Sequence, residues 1–443
     1  MPRLRLFLKT HSVGAIAIPI LTALAVQAML KRQSEWFDVY VRAARLFLDG
    51  RDFYAAGVGY LYPPFQVLLA IPFLPLPNWA ARAIWYACNV VALVCLIRSA
   101  WRMAGAAEVP GVGRTDRRER VAFGIGLLCS GSYILNAFAH QQTDVLIDAC
   151  VMTGCAALMG GRTFGGSVLI GLGAAFKGPP LLLAPYLVLR RQWSAAAIVV
   201  AVALAVNFAP DLIRHAPVSN TWLQHWLQDY VLPTQRLDTA LGTWGSDLIY
   251  NQSLGGTLRR LVTTALQWKL GDLSVVDRRA LVDTITLKAV AYGMMFVMLV
   301  VSIWAALRAD RVAADDGRRY TLPTRTAIEF GVVLTLVLIM SPMSSKAHFG
   351  LLILPAFVLS RIAVLTKRYA IWVMLALAAV GSLAGSKDLV GATVSTTLLW
   401  TGAITWSAVV LWIGCIAAFG RGYAARALPA FSSALFCREQ EQR

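Results

Sequence analysis

TITLKAVAYGMMFVMLVVSIWAAL, residues 284–307, carries one charge, Lys288, in 24 residues. A run of this length and apolarity is what a helix needs to cross a hydrocarbon core of about 30 Å. Runs of the same kind recur along the chain. They fall near 11–30, 79–101, 121–139, 145–160, 165–176, 180–190, 195–213, 326–341, 350–366, 370–384 and 393–419. Of the 443 residues, 58% are hydrophobic and only 14% are charged. Soluble domains average about 45–50% apolar and about 25% charged. The composition therefore excludes a soluble enzyme, a disordered chain and a small disulfide scaffold. The fold class expected is an all-α polytopic integral membrane protein, one domain over 1–443, with about 12 spans.

The charge balance is the odd feature. Lys and Arg number 41 against 23 acids, a net charge of +18. A basic excess can mark a nucleic-acid partner, or it can mark the cytoplasmic loops of a membrane protein. With the N-terminus inside, the segments 1–10, 98–120, 161–165, 190–193, 308–325, 361–368 and 420–443 are cytoplasmic. They hold 24 of the 41 bases and 8 of the 23 acids. Topology thus absorbs 16 of the 18 excess charges, and no nucleic-acid partner is needed. The basic loops at 102–120 and 308–325 stand inside. Two large loops, about 31–78 and 214–283, stand on the outer face. Residues 61–77, LYPPFQVLLAIPFLPLP, contain five prolines and are expected to dip into the membrane rather than cross it. The pair 165–176 and 180–190 is broken at Lys177-Gly178-Pro179-Pro180, as in helices that line a cavity.

Amphipathic patterns occur in both outer loops. In EWFDVYVRAARLFLDGRDFY, Phe37, Val41, Ala44 and Phe47 share one helical face, which suits a helix lying on the membrane surface. SLGGTLRRLVTTALQWKL, residues 253–270, has the same character. The seven cysteines form no CxxC pair or metal spacing and read as small apolar side chains. No metal site is expected.

The unusual polar clusters all fall on the outer face. They are Glu35 with Asp38, Asp52, Tyr62, His140-Gln141-Gln142-Thr143-Asp144, Lys177, Trp244 through Asp247, Asn251-Gln252-Ser253, and Ser341 through His348. Ionisable groups at a membrane boundary are expensive and usually functional. Gathered on one face, they point to chemistry on a lipid-linked polar substrate. Plainer readings exist for several. Asp144 suits an N-cap, Lys177 suits an interfacial snorkel, and Arg259 and Arg260 suit anionic headgroups. An O-antigen-type polymerase or ligase, or a lipid or solute transporter, has similar gross features.

DVYVRAARLFLDGRDFY, LYPPFQVLLAIPFLPLP, GLGAAFKGPPLLLAPYLVLRRQW, NQSL at 251–254 and SPMSSKAHF at 341–349 together resemble glycosyltransferase family 87. The matching blocks run in family order from about residue 35 to 357. The resemblance implies the GT-C architecture of polyprenyl-phosphate-dependent enzymes in a bacterial inner membrane, with the site facing the periplasm. It implies inverting transfer of a hexose such as mannose, or of a pentose, from a polyprenyl-phosphate sugar. The acceptor would be a hydroxyl on a lipid or glycan, and no cofactor is implied. Its base is an Asp just ahead of a Val-Tyr, which makes Asp38 the first choice and Glu35 the second. The position used by the mannosyltransferases holds Trp36 here. Donor or acceptor contacts are expected from Tyr62, His140, Gln141, Asp144, Lys177, Asp247, Asn251, Gln252, Arg259, Arg260, Lys346 and His348. A carboxylate at an apolar boundary makes a better base because desolvation raises its pKa. Cations suit the developing charge of a phosphate leaving group.

Overall fold

The structure, a computed structural model, describes residues 12–31, 34–55, 57–106, 109–110, 116–235, 248–270, 284–315, 322–366 and 368–419. These residues form a helical bundle and no extended strand. The helices that matter for the site are α1 (Ser12–Leu30), α2 (Arg42–Leu48), α3 (Phe65–Ala70), α4 (Asn78–Met103), α5 (Arg117–His140), α6 (Asp144–Met159), α7 (Thr163–Phe176), α8 (Leu183–Leu189) and α9 (Trp193–Asn207). They are followed by α10 (Trp222–Trp226), α11 (Leu232–Gln235), α12 (Leu254–Leu270), α13 (Thr284–Asp315), α14 (Leu322–Met340), α15 (Ile353–Thr366), α16 (Tyr369–Ala384), α17 (Lys387–Val390), α18 (Ala392–Trp400) and α19 (Ala403–Phe419).

Every expected span falls on helix, but the spans are unequal. Among the described residues, five helices are long and apolar enough to cross a membrane by those criteria alone. The pair α18 and α19, bent by 58°, makes a sixth. The bend lies at Gly402, whose φ of +79° a β-carbon would strain. A β-carbon there would also overlap the Thr257 side chain. Helices α7, α16 and the Pro179–Leu189 stretch are apolar but shorter. Residues 61–77 form only α3 and a three-residue 3-10 turn, Ile71–Phe73. Nine helical residues rise far less than the about 30 Å of a bilayer core.

Small residues bring the bundle together. A β-carbon on Gly154 of α6 would sit 2.7 Å from the Gly166 carbonyl oxygen of α7, and one on Gly166 would sit 2.8 Å from that of Gly154. The two backbones therefore touch. On the other face of α7, a β-carbon at Gly171 would lie 2.9 Å from the Val199 carbonyl oxygen of α9. Lipid chains are as apolar as the helices, so close packing of this kind replaces the hydrophobic effect as the associating force. Its consequence is positional: α6 begins at Asp144 and α7 ends one residue before Lys177, so the α6–α7 hairpin delivers both residues to the same end.

The first loop departs from the expected surface helix. Residues Trp36–Val41 form a π-helical turn that runs into α2. Trp36, Tyr40, Val41, Ala43, Ala44 and Phe47 are buried, while Arg42 and Arg45 are exposed. The apolar face packs on protein, in an aromatic cluster with Phe53, Tyr54, Tyr60, Trp85 and Trp222. Trp36 stacks on Trp85 with ring centroids 3.6 Å apart and planes 8° from parallel. Periodicity identified the apolar face, but not the neighbour that covers it.

Two other clusters of buried charge are paired. Glu329 of α14 accepts from Arg190 Nε at 2.7 Å, Arg325 Nε at 3.0 Å and the Tyr186 hydroxyl at 2.9 Å. Arg361 of α15 donates to Glu119 at 3.0 Å and to the Ala104 carbonyl. Such pairs tie basic loop ends to neighbouring helices.

Gly154→Ala and Gly166→Ala each force the α6–α7 backbones apart. Each is expected to lower stability by about 1–3 kcal/mol, the usual cost of overpacking. Thermal unfolding in detergent reads the loss. Gly165→Ala, which meets nothing within 4 Å, is the control and should not destabilise.

Candidate active site

Glu35 immediately precedes the π-helical turn. Its carboxylate accepts hydrogen bonds from the Tyr62 hydroxyl at 3.1 Å and from Gln142 Nε2 at 2.5 Å. Burial pushes its pKa above the ordinary glutamate value, and the bonds from Gln142 and Tyr62 act against that rise. Asp144 also disfavours the charge, while Lys177 favours it. Tyr62 is held in turn. Its carbonyl accepts from the Tyr54 hydroxyl at 2.9 Å, and its ring lies 5.1 Å from that of Tyr40.

A second carboxylate faces the same space. Asp144 Oδ1 accepts from Lys177 Nζ at 2.6 Å and lies 3.8 Å from His348 Nε2. His348 Nδ1 accepts the Ser345 N–H at 3.1 Å. In the neutral ring that bond leaves the proton on Nε2, on the side of Asp144. Asp144 Oδ2 is buried and has no hydrogen-bond partner among the described residues. Lys177 Nζ also stands 5.7 Å above the Tyr62 ring, within cation–π range. The segment before Asp144 is anchored by Gln66 Nε2, which donates to Thr143 Oγ1 at 2.9 Å. Glu35, Tyr62, Gln142, Asp144, Lys177 and His348 thus converge from five separate segments.

Asp148 belongs beside this set and was not among the expected residues. It lies one helical turn beyond Asp144 on α6, on the same face, and is buried. Its Oδ2 lies so close to Gly350 that a β-carbon there would overlap it. An acid inside the apolar run VLIDACVM was the available signal.

The structure separates the two acids expected near the base position. Asp38 is exposed, and its Oδ2 accepts the Ser34 N–H at 2.9 Å. In an α-helix, residues i and i+3 share a face. The π turn bonds i to i+5 and swings Asp38 away from the face of Glu35. Trp36, at the position the resemblance gives to an acid, is fully buried against Trp85.

Several other expected residues lie outside that set. His140 is exposed at the end of α5. Gln141 follows in a left-handed conformation (φ 56°); its amide donates to the Ala28 carbonyl and accepts from Ser34 Oγ. Gln252 donates to the carbonyls of Ile249 at 2.6 Å and Leu399 at 2.8 Å. Asn251 Oδ1 accepts the Ser253 N–H at 3.1 Å. Arg260 is fully buried, and its guanidinium donates to the carbonyls of Trp400, Leu248 and Asn251. Arg259 is buried beside it on α12. Five carbonyl-seeking N–H groups suit an Arg to capping loop ends as well as to binding phosphate. Lys346 donates to Ser386 Oγ at 3.2 Å, two residues before His348. Asp247 and Trp244 lie outside the described residues. Among the described residues, no group of three or more His, Cys, Asp or Glu side chains is arranged to hold a metal ion.

A multi-pass helical bundle whose polar groups converge at one end of the helices is the form of a membrane enzyme acting on a lipid-borne substrate. The family model of glycosyltransferase family 87 matches residues 60–342, more than half of the chain, and the protein belongs to that family. It is therefore a membrane glycosyltransferase. A curated relative from Mycobacterium tuberculosis is 26% identical over 418 residues, which is 88% of this chain and 86% of the relative. That relative is named a polyprenol-phosphate-mannose-dependent alpha-(1-2)-phosphatidylinositol mannoside mannosyltransferase. ArnT from Cupriavidus metallidurans, solved bound to undecaprenyl phosphate, aligns over 96% of this chain and 78% of its own. Its identity is 14% and its TM-score 0.40, a loose likeness that adds nothing to the assignment.

Tyr62→Phe removes a donor that favours ionised Glu35. The acid limb of the pH–activity profile should then move to higher pH by about 0.5–1 pH unit, the worth of one such bond. Initial rates of sugar transfer measured between about pH 4 and 9 check it. An unmoved limb would show that Glu35 does not set it.

Proposed function

We propose that the protein transfers a sugar from a polyprenyl-phosphate donor to a hydroxyl of a lipid- or glycan-linked acceptor, with inversion, and that Glu35 is the general base. The sugar is mannose, another hexose or a pentose. The single observation that carries this reading is a half-buried carboxylate with raised proton affinity, held by Tyr62 and Gln142, in one cluster with the Lys177–Asp144–His348 set.

In the proposed reaction the acceptor oxygen attacks the anomeric carbon as its proton passes to Glu35. The bond from that carbon to the phosphate oxygen breaks, and the polyprenyl phosphate leaves with the electron pair. One positioned base supplies about 10²–10⁴ of the rate. Charge grows on the departing phosphate, and cations fixed beforehand lower that barrier without reorganising. Lys177 is placed for this role, with His348 beside it and Lys346 two residues before His348 in the same turn. Asp144 orients Lys177 and keeps one oxygen, Oδ2, for a substrate hydroxyl. Tyr62 offers a ring to the sugar as well as a hydroxyl to the base.

The charge pattern of the loops supports a cytoplasmic side for the basic ends and a periplasmic side for this pocket. The family and that orientation support a GT-C architecture and a place in a bacterial inner membrane. The single integral domain over 1–443, with its outer loops about 31–78 and 214–283, fits the same reading.

Glu35→Gln should lower kcat by about 10²–10⁴ while the protein still reaches the membrane. Asp38→Asn, at an exposed position, should change stability by no more than about 0.5 kcal/mol and retain transfer. Lipid extracts incubated with purified protein and polyprenyl-phosphate mannose, analysed by mass spectrometry for new glycan linkage, read both. Loss of transfer in Asp38→Asn with retention in Glu35→Gln would reverse the assignment.

A further inference from the structure

The loop that presents Tyr62 to Glu35 is gripped by a segment whose chemistry the reaction does not use. Residues Trp222–Gln235 form a continuous helical stretch through α10, a π turn and α11. Thr221 Oγ1 caps it by accepting the Gln224 N–H at 3.1 Å. Three of its side chains reach the first loop. Trp226 Nε1 donates to the Leu61 carbonyl at 3.0 Å. The Tyr230 hydroxyl donates to the Tyr54 carbonyl at 3.2 Å. His225 Nε2 stands 3.5 Å from Asp52 Oδ1.

The third contact differs from the other two. His225 is 5% exposed, and its Nε2 has no hydrogen-bond partner among the described residues. The same nitrogen is 3.5 Å from Asp229 Oδ2. A buried ring nitrogen between two carboxylates, bonded to neither, is a clasp only partly closed. A proton on Nε2 gives the ring a charge and a donor, and both acids then attract it. Among the described residues, the groups around the ring come from the first loop and from its own segment. Asp52 and Tyr54 come from the first loop, with Tyr54 at 5.2 Å between centroids. Asp229, Tyr230 and Trp222 come from its own segment, Trp222 at 6.3 Å. Asp211, with His215 beside it, accepts the Trp222 N–H at 3.0 Å from the preceding turn.

The clasp connects to the base through covalent and hydrogen bonds alone. Asp52 Oδ1 accepts the Tyr54 N–H at 2.8 Å. The Tyr54 hydroxyl donates to the Tyr62 carbonyl at 2.9 Å, and the Tyr62 hydroxyl donates to Glu35 at 3.1 Å. We infer that His225 is a positioning residue: on protonation it draws Asp52 and Asp229 together and seats the 52–62 loop so that Tyr62 holds Glu35. The enzyme then works best in a pH window, with the ionisation of Glu35 on its acid side and the release of the His225 proton on its alkaline side. The catalytic consequence rests on Glu35 as base; the seating of the loop does not.

Hydrogen exchange of the full-length protein in detergent, at about pH 5.5 and about pH 8 and corrected for intrinsic rates, reads the seating directly. Wild type should show about 2- to 5-fold more protection of residues 52–62 at the lower pH, the range one such pairing commands. His225→Gln should abolish that difference. Asp229→Asn, at a half-exposed position that does not threaten folding, should reduce it. Glu35→Gln should leave it intact while transfer from polyprenyl-phosphate mannose is lost. The alkaline limb of transfer should flatten in His225→Gln, with kcat affected more than KM for the donor. A residue serving only to pack would lower protection equally at both pH values. Equal pH steps in wild type and His225→Gln, or no step in wild type, would overturn the inference. Neither result bears on Glu35, whose own substitution tests it separately.

Discussion

The ion pair between Lys177 and Asp144 is the contact around which the pocket is built. Two charges at the boundary of an apolar bundle are tolerated only when each satisfies the other, and removing one strands its partner at a cost of about 3–5 kcal/mol. The pair ties the end of α7 to the start of α6, and those helices can bring it together because their backbones touch at Gly154 and Gly166. Everything else in the pocket is placed relative to it. His348 approaches Asp144 from the Lys346–Leu352 turn, and Tyr62 lies beneath the Lys177 ammonium.

Around that pair the protein holds charge in two distinct ways. At Glu329, Glu119 and Arg260 the charged group has close partners on other segments and ties those segments together. At Glu35 and Asp144 the balance is incomplete. Glu35 is hydrogen-bonded by neutral donors, and Asp144 keeps a buried oxygen unbonded among the described residues. Unfinished hydrogen bonding inside a low-dielectric site is costly unless a substrate completes it. That contrast sets the two carboxylates of the cluster apart from the paired charges elsewhere in the bundle.

Much of this was legible along the chain. Hydropathy identified the helices, and the clusters at 140–144, 177 and 341–348 stood out as polar groups beside apolar runs. Their division was not legible. His140 points out while Gln142 and Asp144 point in, because α5 ends in a left-handed residue at Gln141 that redirects the chain. Asp38 and Glu35 are three residues apart, and a π turn that no local pattern announces puts them on different faces. Arg259 and Arg260 read like a phosphate site, but Arg260 spends its donors on loop carbonyls. His225 had no motif at all; its meaning comes from Asp52, 173 residues away in sequence and 3.5 Å away in space.

By itself the sequence determined that this is a helical, multi-pass membrane protein of a recognisable glycosyltransferase family. Both are sums over local composition and order, and both survive without knowledge of any single contact. Only the tertiary structure decided which carboxylate enters the pocket and which basic groups face it. Those choices depend on backbone turns of a few residues and on pairings between distant segments, where a rotation of one residue exchanges a buried side chain for an exposed one.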